Sequence, residues 1–213
     1  MRLIHNIAYL HSGWDLEILE YVKKNANDIK IVPTDSITSR ESKDVKSLPT
    51  LIVDGNQIRE SFPWLFDLYE TTIVEYAKKS FKQDVFIASQ DLYALNFNVQ
   101  KGKKMRYECH IDSNPIQGVL YITTHKQGDG GELIVSENSN AIGIKEIDIN
   151  CKIIYPKSGF LYLFPGEHFP HYVRPLTNDN DIRIVMAMNF YTNKNPELNR
   201  PKDLNNHLFN KEK

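Results

Sequence analysis

The chain of 213 residues carries 26 Lys and Arg against 27 Asp and Glu, a formal net charge of −1, which leaves no cationic excess for nucleic acid or an anionic membrane surface. Hydrophobic residues at 41% and charged residues at 25% exclude a disordered or collagen-like chain. No apolar run approaches the roughly 18 residues of a membrane span, and polar residues follow the start too soon for a signal peptide. Cys109 and Cys151 are too few for a disulfide scaffold, so the expected setting is reducing and cytoplasmic.

In chain order, Leu3–Leu10 reads as a short buried strand and Trp14–Lys24 as a helix with Leu16, Leu19, Tyr21 and Val22 as its apolar stripe. Ile29–Val32 and Leu51–Val53 read as strands. Asp54-Gly55 signals a hairpin turn, with Gln57–Arg59 as the expected return strand. Leu65–Lys79 is helical in pattern, starting after Pro63 and ending in a basic turn that suits the helix dipole. From about residue 83 only strands are expected, over 84–88, 92–99, 105–112, 117–124, 131–136, 151–155, 159–164, 170–174 and 182–191, with turn residues between them. That many short strands in so little chain argue for a jelly roll or a related double-sheet β-barrel. The boundary between the two parts falls near residue 80, giving a division into 1–80 and 81–213.

The chemistry concentrates on His110-Ile111-Asp112 and on His171. Residues i and i+2 of a strand share a face, so His110 and Asp112 would project together into one cavity. An imidazole, a carboxylate and a second imidazole from a distant strand make the two-His, one-carboxylate triangle of non-haem Fe(II) oxygenases. His168 competes with His171 for the third place, because His168-x-x-His171 lies in one segment. Twelve residues after His171, Arg183 interrupts an apolar run, Ile182–Phe190. A buried Arg is costly unless paired, and its fork suits a carboxylate; the alternative is a structural ion pair with an acidic neighbour. His125 beside a glycine-rich loop reads as solvated. Cys109 lies on the face opposite His110 and reads as core, as does Cys151. Lys126–Gly131 is a candidate mobile rim.

At these residues the sequence resembles the 2-oxoglutarate/Fe(II)-dependent dioxygenases, near their prolyl-4-hydroxylase-like branch. The resemblance is carried by Tyr107-Glu-Cys-His110-Ile-Asp112, Gly130-Gly131-Glu132-Leu133, Gly159-Phe-Leu-Tyr-Leu-Phe164-Pro165, His171-Tyr-Val173-Arg-Pro175 and Arg183, in that order over roughly residues 84 to 192. It implies a double-stranded β-helix with His110, Asp112 and His171 as iron ligands. His171 is preferred to His168 because Val173 and Pro175 follow it in the family's pattern. Arg183 would hold the distal carboxylate of 2-oxoglutarate, and Tyr107 would bond the same co-substrate. No further catalytic residue is implied. The implied cofactors are Fe(II), 2-oxoglutarate and dioxygen, with ascorbate as an optional reductant. The implied reaction hydroxylates a C–H bond of a peptide or small-molecule substrate and releases succinate and CO2. The alternatives from other classes are a cupin-like metal-binding module and a partner-binding scaffold without oxygenase activity. Two departures stand out. Tyr107 and His110 are an odd number apart, so a bulge or turn must lie between them if both face one cavity. Val185 stands where many relatives place a Ser or Thr that shares the carboxylate.

Ser47-Leu-Pro49-Thr-Leu-Ile-Val-Asp54-Gly55, with Glu60-Ser61 after it, resembles the thioredoxin/glutaredoxin fold over about residues 2 to 80. That resemblance implies a cis Pro49 at a strand entry. His11-Ser12-Gly13-Trp14 holds no cysteine where the redox site would be, and disulfide exchange requires a thiolate. The expected fold class is therefore α+β: a C-terminal double-stranded β-helix (jelly roll) with a small N-terminal thioredoxin-like module without redox cysteines. That module would serve as scaffold or as the contact for a protein partner, and the alternative is a helical buttress for the barrel.

Overall fold

Two antiparallel sheets face each other and helices cover the outer side of the larger one, in a computed structural model that describes residues 2–4, 10–202 and 204–209. The strands are β1 (Arg2–Ile4), β2 (Lys30–Pro33), β3 (Ser47–Val53), β4 (Phe86–Ile87), β5 (Leu95–Lys101), β6 (Tyr107–His110), β7 (Ile116–Tyr121), β8 (Leu133–Ser136), β9 (Cys151–Ile154), β10 (Leu161–Phe164), β11 (His171–Val173) and β12 (Ile182–Tyr191). The larger sheet runs β1-β10-β7-β12-β5-β3-β2, with β4 on the end of β12, and the smaller runs β6-β11-β8-β9.

The long strand β12 shows how the sequence positions the two faces. Ile184, Met186, Met188 and Phe190 join the main hydrophobic core, where the helices pack. Arg183, Val185, Ala187 and Asn189, the intervening residues, line the cavity between the sheets. Strand β7 is covered on both sides and buried along its whole length, and its residues are mainly apolar, Gln117 being the polar exception.

The helices are α1 (Trp14–Asn25), α2 (Gly55–Ser61), α3 (Pro63–Asp67), α4 (Val74–Phe81), α5 (Asp91–Ala94), α6 (Gly143–Ile149) and α7 (Leu204–Phe209). A π-helical stretch, Leu68–Ile73, joins α3 to α4, so the helix expected over Leu65–Lys79 is present and longer. Leu65, Phe66, Tyr69, Ile73 and Ala77 from this stretch are buried against the larger sheet. The Tyr69 hydroxyl donates to the Asn189 carbonyl at 2.5 Å and accepts from the Ala88 N–H at 2.9 Å, tying the helix to β12.

The first 80 residues depart from expectation. Their strands do not form a separate sheet. β1 pairs with β10, and β3 lies between β2 and β5, so the segment extends both edges of the barrel's larger sheet. The peptide before Pro49 is trans, as are all the described peptide bonds. Gln57–Arg59, expected as a return strand, lies in α2. There Asp54 accepts from the Gln57 N–H at 3.1 Å and Gln57 Oε1 accepts from the Asp54 N–H at 3.3 Å, a capping box that starts a helix where a hairpin turn was expected. A thioredoxin-like module with its own sheet is thus not what the described residues form. Of the expected strand Leu3–Leu10, residues 5–9 lie outside the described residues. Among the described residues, no helix is long and apolar enough to cross a membrane.

Candidate metal centre

His110 ends β6 and His171 begins β11, and the two sit directly opposite each other in the smaller sheet. Asp112 lies two residues past the strand end, where its N–H donates to the Gly166 carbonyl at 3.0 Å. The ligand atoms of His110, Asp112 and His171 all lie within 4.8 Å of one another. Each imidazole presents Nε2 to a different oxygen of Asp112, His110 to Oδ1 and His171 to Oδ2, at 3.5 Å in both cases. His168 is on the surface, its side chain 66% exposed beside Glu167, and takes no part.

The hydrogen bonds behind the triad set its protons. Nδ1 of His110 lies 2.9 Å from the Glu108 carbonyl, and Nδ1 of His171 lies 2.8 Å from the Phe169 carbonyl. A carbonyl only accepts, so Nδ1 carries the proton in each ring and the neutral ring turns the Nε2 lone pair into the site. A ligating histidine characteristically donates its other N–H in this way. Asp112 Oδ2 is buried and has no hydrogen-bond partner. Two imidazole lone pairs and an ionised carboxylate converging on one point are a donor set that could hold an Fe(II)-type cation on one triangular face.

Burial, reinforced by His110, pulls the His171 pKa down to about 4. Burial pushes in the opposite sense on Asp112, but His171 and His110 outweigh it and hold the carboxyl below its ordinary range. For His110, burial is outweighed by Asp112 and by Glu108, and its pKa is raised.

The triad opens on a cavity of about 110 Å³ between the sheets. Tyr107 and Arg183 line the same cavity, so all five residues singled out in the sequence come together there. The odd spacing of Tyr107 and His110 is resolved by a bulge: their partners on β11 are Val173 and His171, two residues apart against three. The Tyr107 ring lies 5.1 Å from that of His110, and burial raises its phenol pKa.

Arg183 is 2% exposed. Its Nε donates to the Gly131 carbonyl at 2.8 Å, and its guanidinium lies 5.5 Å from the centre of the Tyr121 ring. Among the described residues, no carboxylate forms an ion pair with it. Burial holds its pKa below the ordinary value. The buried Tyr121 hydroxyl faces Arg183 without a hydrogen bond of good geometry, and burial pushes its pKa to about 12 although Arg183 pulls it the other way. Tyr121 went unnoticed in the sequence because every residue of β7 is buried and nothing in the pattern separates its two faces.

The glycine-rich stretch expected as a mobile rim has another place. Gly131 N–H donates to the Pro175 carbonyl, Thr177 N–H to that of Asp129, and Gly130 bridges Leu176. Gly131 has φ +77°, and a Cβ there would stand 3.0 Å from Arg183 Cδ, so this stretch seats the arginine. His125, expected in solvent, is 7% exposed and lies 3.2 Å from the Ile182 carbonyl. Cys109 is buried as expected and Cys151 only partly so.

Residues 95–191 match the model of the 2OG-Fe(II) oxygenase superfamily. No curated relative matches the sequence. Among solved structures, a prolyl hydroxylase from Trichoplax adhaerens, in complex with a hypoxia inducible factor oxygen degradation domain peptide fragment, is 18% identical, with TM-score 0.61 over 91% of this chain and 84% of that one. A Pseudomonas putida prolyl-4-hydroxylase is 14% identical, with TM-score 0.53 over 89% and 92%. The epimerase SnoN, in complex with Fe3+, alpha ketoglutarate and nogalamycin RO, is 11% identical, with TM-score 0.57 over 89% and 78%.

Proposed function

We propose, from the match of residues 95–191 to the 2OG-Fe(II) oxygenase superfamily model, that the chain is a dioxygenase hydroxylating a C–H bond of a peptide or amino-acid-like substrate. Enzymes of this superfamily use Fe(II), 2-oxoglutarate and O2, and the chain is an oxygenase of that kind. The observation that carries the rest is the convergence of His110 Nε2, His171 Nε2 and the Asp112 carboxylate, with both Nδ1 atoms already committed to carbonyls.

In this reading the two facing sheets are a double-stranded β-helix, and His110, Asp112 and His171 hold the iron. When bound, the iron supplies the oxidising chemistry, coupling decarboxylation of 2-oxoglutarate to succinate and CO2 with hydroxylation of the substrate. The chain's own residues position and desolvate. Arg183 receives the distal carboxylate of 2-oxoglutarate, and its Nε bond to Gly131 aims the fork. The Tyr121 hydroxyl, which faces Arg183, shares that carboxylate, a role that Val185 has no polar atom to fill. Tyr107, beside His110, bonds the co-substrate nearer the metal. Ascorbate would serve as the reductant that returns the iron to Fe(II).

A peptide substrate is favoured by the likeness to prolyl hydroxylases, one of them in complex with a peptide; a free small molecule is the other class, as in the SnoN complex. A cupin-like metal module without oxygenase activity would have no use for a buried Arg183 that has no ion-pair partner among the described residues and lines the cavity of the metal site. The first 80 residues act as a buttress that lengthens the larger sheet, and both free thiols fit a reducing, cytoplasmic setting. The test is an anaerobic titration with Fe(II) and 2-oxoglutarate, followed by a succinate-release screen over peptides and amino acids. Failure to bind 2-oxoglutarate in the presence of Fe(II) would remove the proposal.

A further inference from the structure

The bulge that turns Tyr107 and His110 into one cavity also disturbs the ladder of β6, and a bulge leaves backbone groups in need of other partners. Two groups in this stretch find them in one ion pair. The Cys109 N–H donates to Glu41 Oε1 at 2.6 Å, and Arg106 Nη1 donates to the Tyr107 carbonyl at 3.3 Å. Glu41 and Arg106 are themselves joined by two bonds, Nη1 to Oε1 at 2.6 Å and Nη2 to Oε2 at 2.9 Å. The Glu41 side chain is 2% exposed and that of Arg106 14%.

Glu41 belongs to the segment between β2 and β3, far from the barrel in sequence. Its neighbours lie along the open edge of β6. Ser39 bridges His110, the Arg40 N–H donates to the Cys109 carbonyl at 2.7 Å, and the Ile111 N–H donates to the Thr38 carbonyl at 2.9 Å. These contacts run up to His110 and between it and Asp112.

A buried carboxylate–guanidinium pair is an inefficient way to add stability, since apolar residues of similar volume often do as well. What this pair does that apolar residues cannot is to accept from the Cys109 N–H and donate to the Tyr107 carbonyl on either side of the bulge. We propose that Glu41 is a positioning residue for the metal centre: through Cys109 and Arg106 it holds the bulged conformation of β6 and with it the aim of His110. This rests on reading His110, Asp112 and His171 as the metal ligands.

The experiment uses the full chain with Co(II) as a spectroscopic metal probe, and compares Glu41→Leu/Arg106→Leu, Glu41→Gln and His110→Ala. The double variant leaves no unpaired charge but takes the acceptor from the Cys109 N–H, so it should fold and melt moderately below the wild type. Its Co(II) affinity should nevertheless fall at least about 10-fold, the low end for loss of a group that orients a ligand, and the visible spectrum of the bound ion should shift. Glu41→Gln, which weakens the clamp without shrinking the side chain, should lose about 3-fold or more, a fraction of the effect of losing the group outright. A folded double variant with wild-type Co(II) affinity and spectrum would overturn the proposal. Should the double variant not fold, an unchanged affinity in Glu41→Gln overturns it. Full Co(II) binding by His110→Ala would instead refute the metal reading itself.

Discussion

Replacing Arg183 by Leu separates a binding role from a structural one, because the two roles predict opposite stability effects. The guanidinium is 2% exposed, and its neighbours are one carbonyl, at 2.8 Å, and the face of Tyr121. No carboxylate forms an ion pair with it among the described residues, so the cost of burying its charge is offset only in part, by Tyr121 and by the more distant Glu132. Leucine removes that cost while leaving a partial cavity and an unpaired Gly131 carbonyl. The opposing changes should leave stability within about 1 kcal/mol, or about 2–4 °C in Tm for a chain of this length. The 2-oxoglutarate distal carboxylate, by contrast, loses its charged partner in a desolvated site, about 2–5 kcal/mol. That is a rise in Kd of about 30-fold to about 5,000-fold. Anaerobic titration of the Fe(II)-loaded variant with 2-oxoglutarate, beside a thermal melt, reads both quantities. An unchanged Kd would eliminate Arg183 from the role. A large loss of stability with no selective loss of 2-oxoglutarate would show that the side chain serves the fold.

Gly166→Ala should weaken metal binding, since a Cβ there would stand 1.9 Å from Asp112 Oδ2 and the carboxylate must move; calorimetric titration with Mn(II) should show a loss of about 10-fold or more. His171→Ala should abolish metal binding and His168→Ala should leave it intact; the reverse result, read by the same titration, would reassign the third ligand. Metal affinity should fall with decreasing pH below the raised His110 pKa, which lies above the ordinary 6.5, because binding must then displace a proton from that ring. His171, held near 4, adds a second proton only in much more acidic solution. Affinity measured across the neutral range should therefore change by about one log unit per pH unit on the acid side and level off above; a flat profile through that range would contradict the assigned proton states.

The site was more legible in the sequence than the frame around it. His110 and Asp112 declare themselves because residues two apart on a strand share a face, and Arg183 because a cation in an apolar run needs a reason. Tyr121 is silent, being one buried residue in a strand buried on both faces. Glu41 is silent for a different reason: its meaning depends on Arg106 and Cys109, and a pairing across that much chain leaves no local pattern. The bulge in β6 was foreseeable from the odd spacing of Tyr107 and His110, though not what holds it. Asp54-Gly55 was misread because the same aspartate that favours a hairpin turn also caps a helix, and Gln57 three residues later decides for the helix. Helix α6 was missed because its Ile-rich segment, Gly143–Ile149, has poor helix propensity, and Ile147 is held by burial in the smaller core. The N-terminal strands were recognised as strands and assigned the wrong partners, since sequence pattern gives periodicity and not pairing.

The most direct test of the central claim is anaerobic Fe(II) binding to the wild type and to Asp112→Ala, measured with and without 2-oxoglutarate. Asp112 faces both imidazoles, one with each carboxylate oxygen. The wild type should bind one equivalent of Fe(II) and then develop the visible charge-transfer band of the Fe(II)–2-oxoglutarate chelate, while Asp112→Ala, with its fold intact, should show neither. Undiminished Fe(II) binding and the same band in Asp112→Ala would contradict the account.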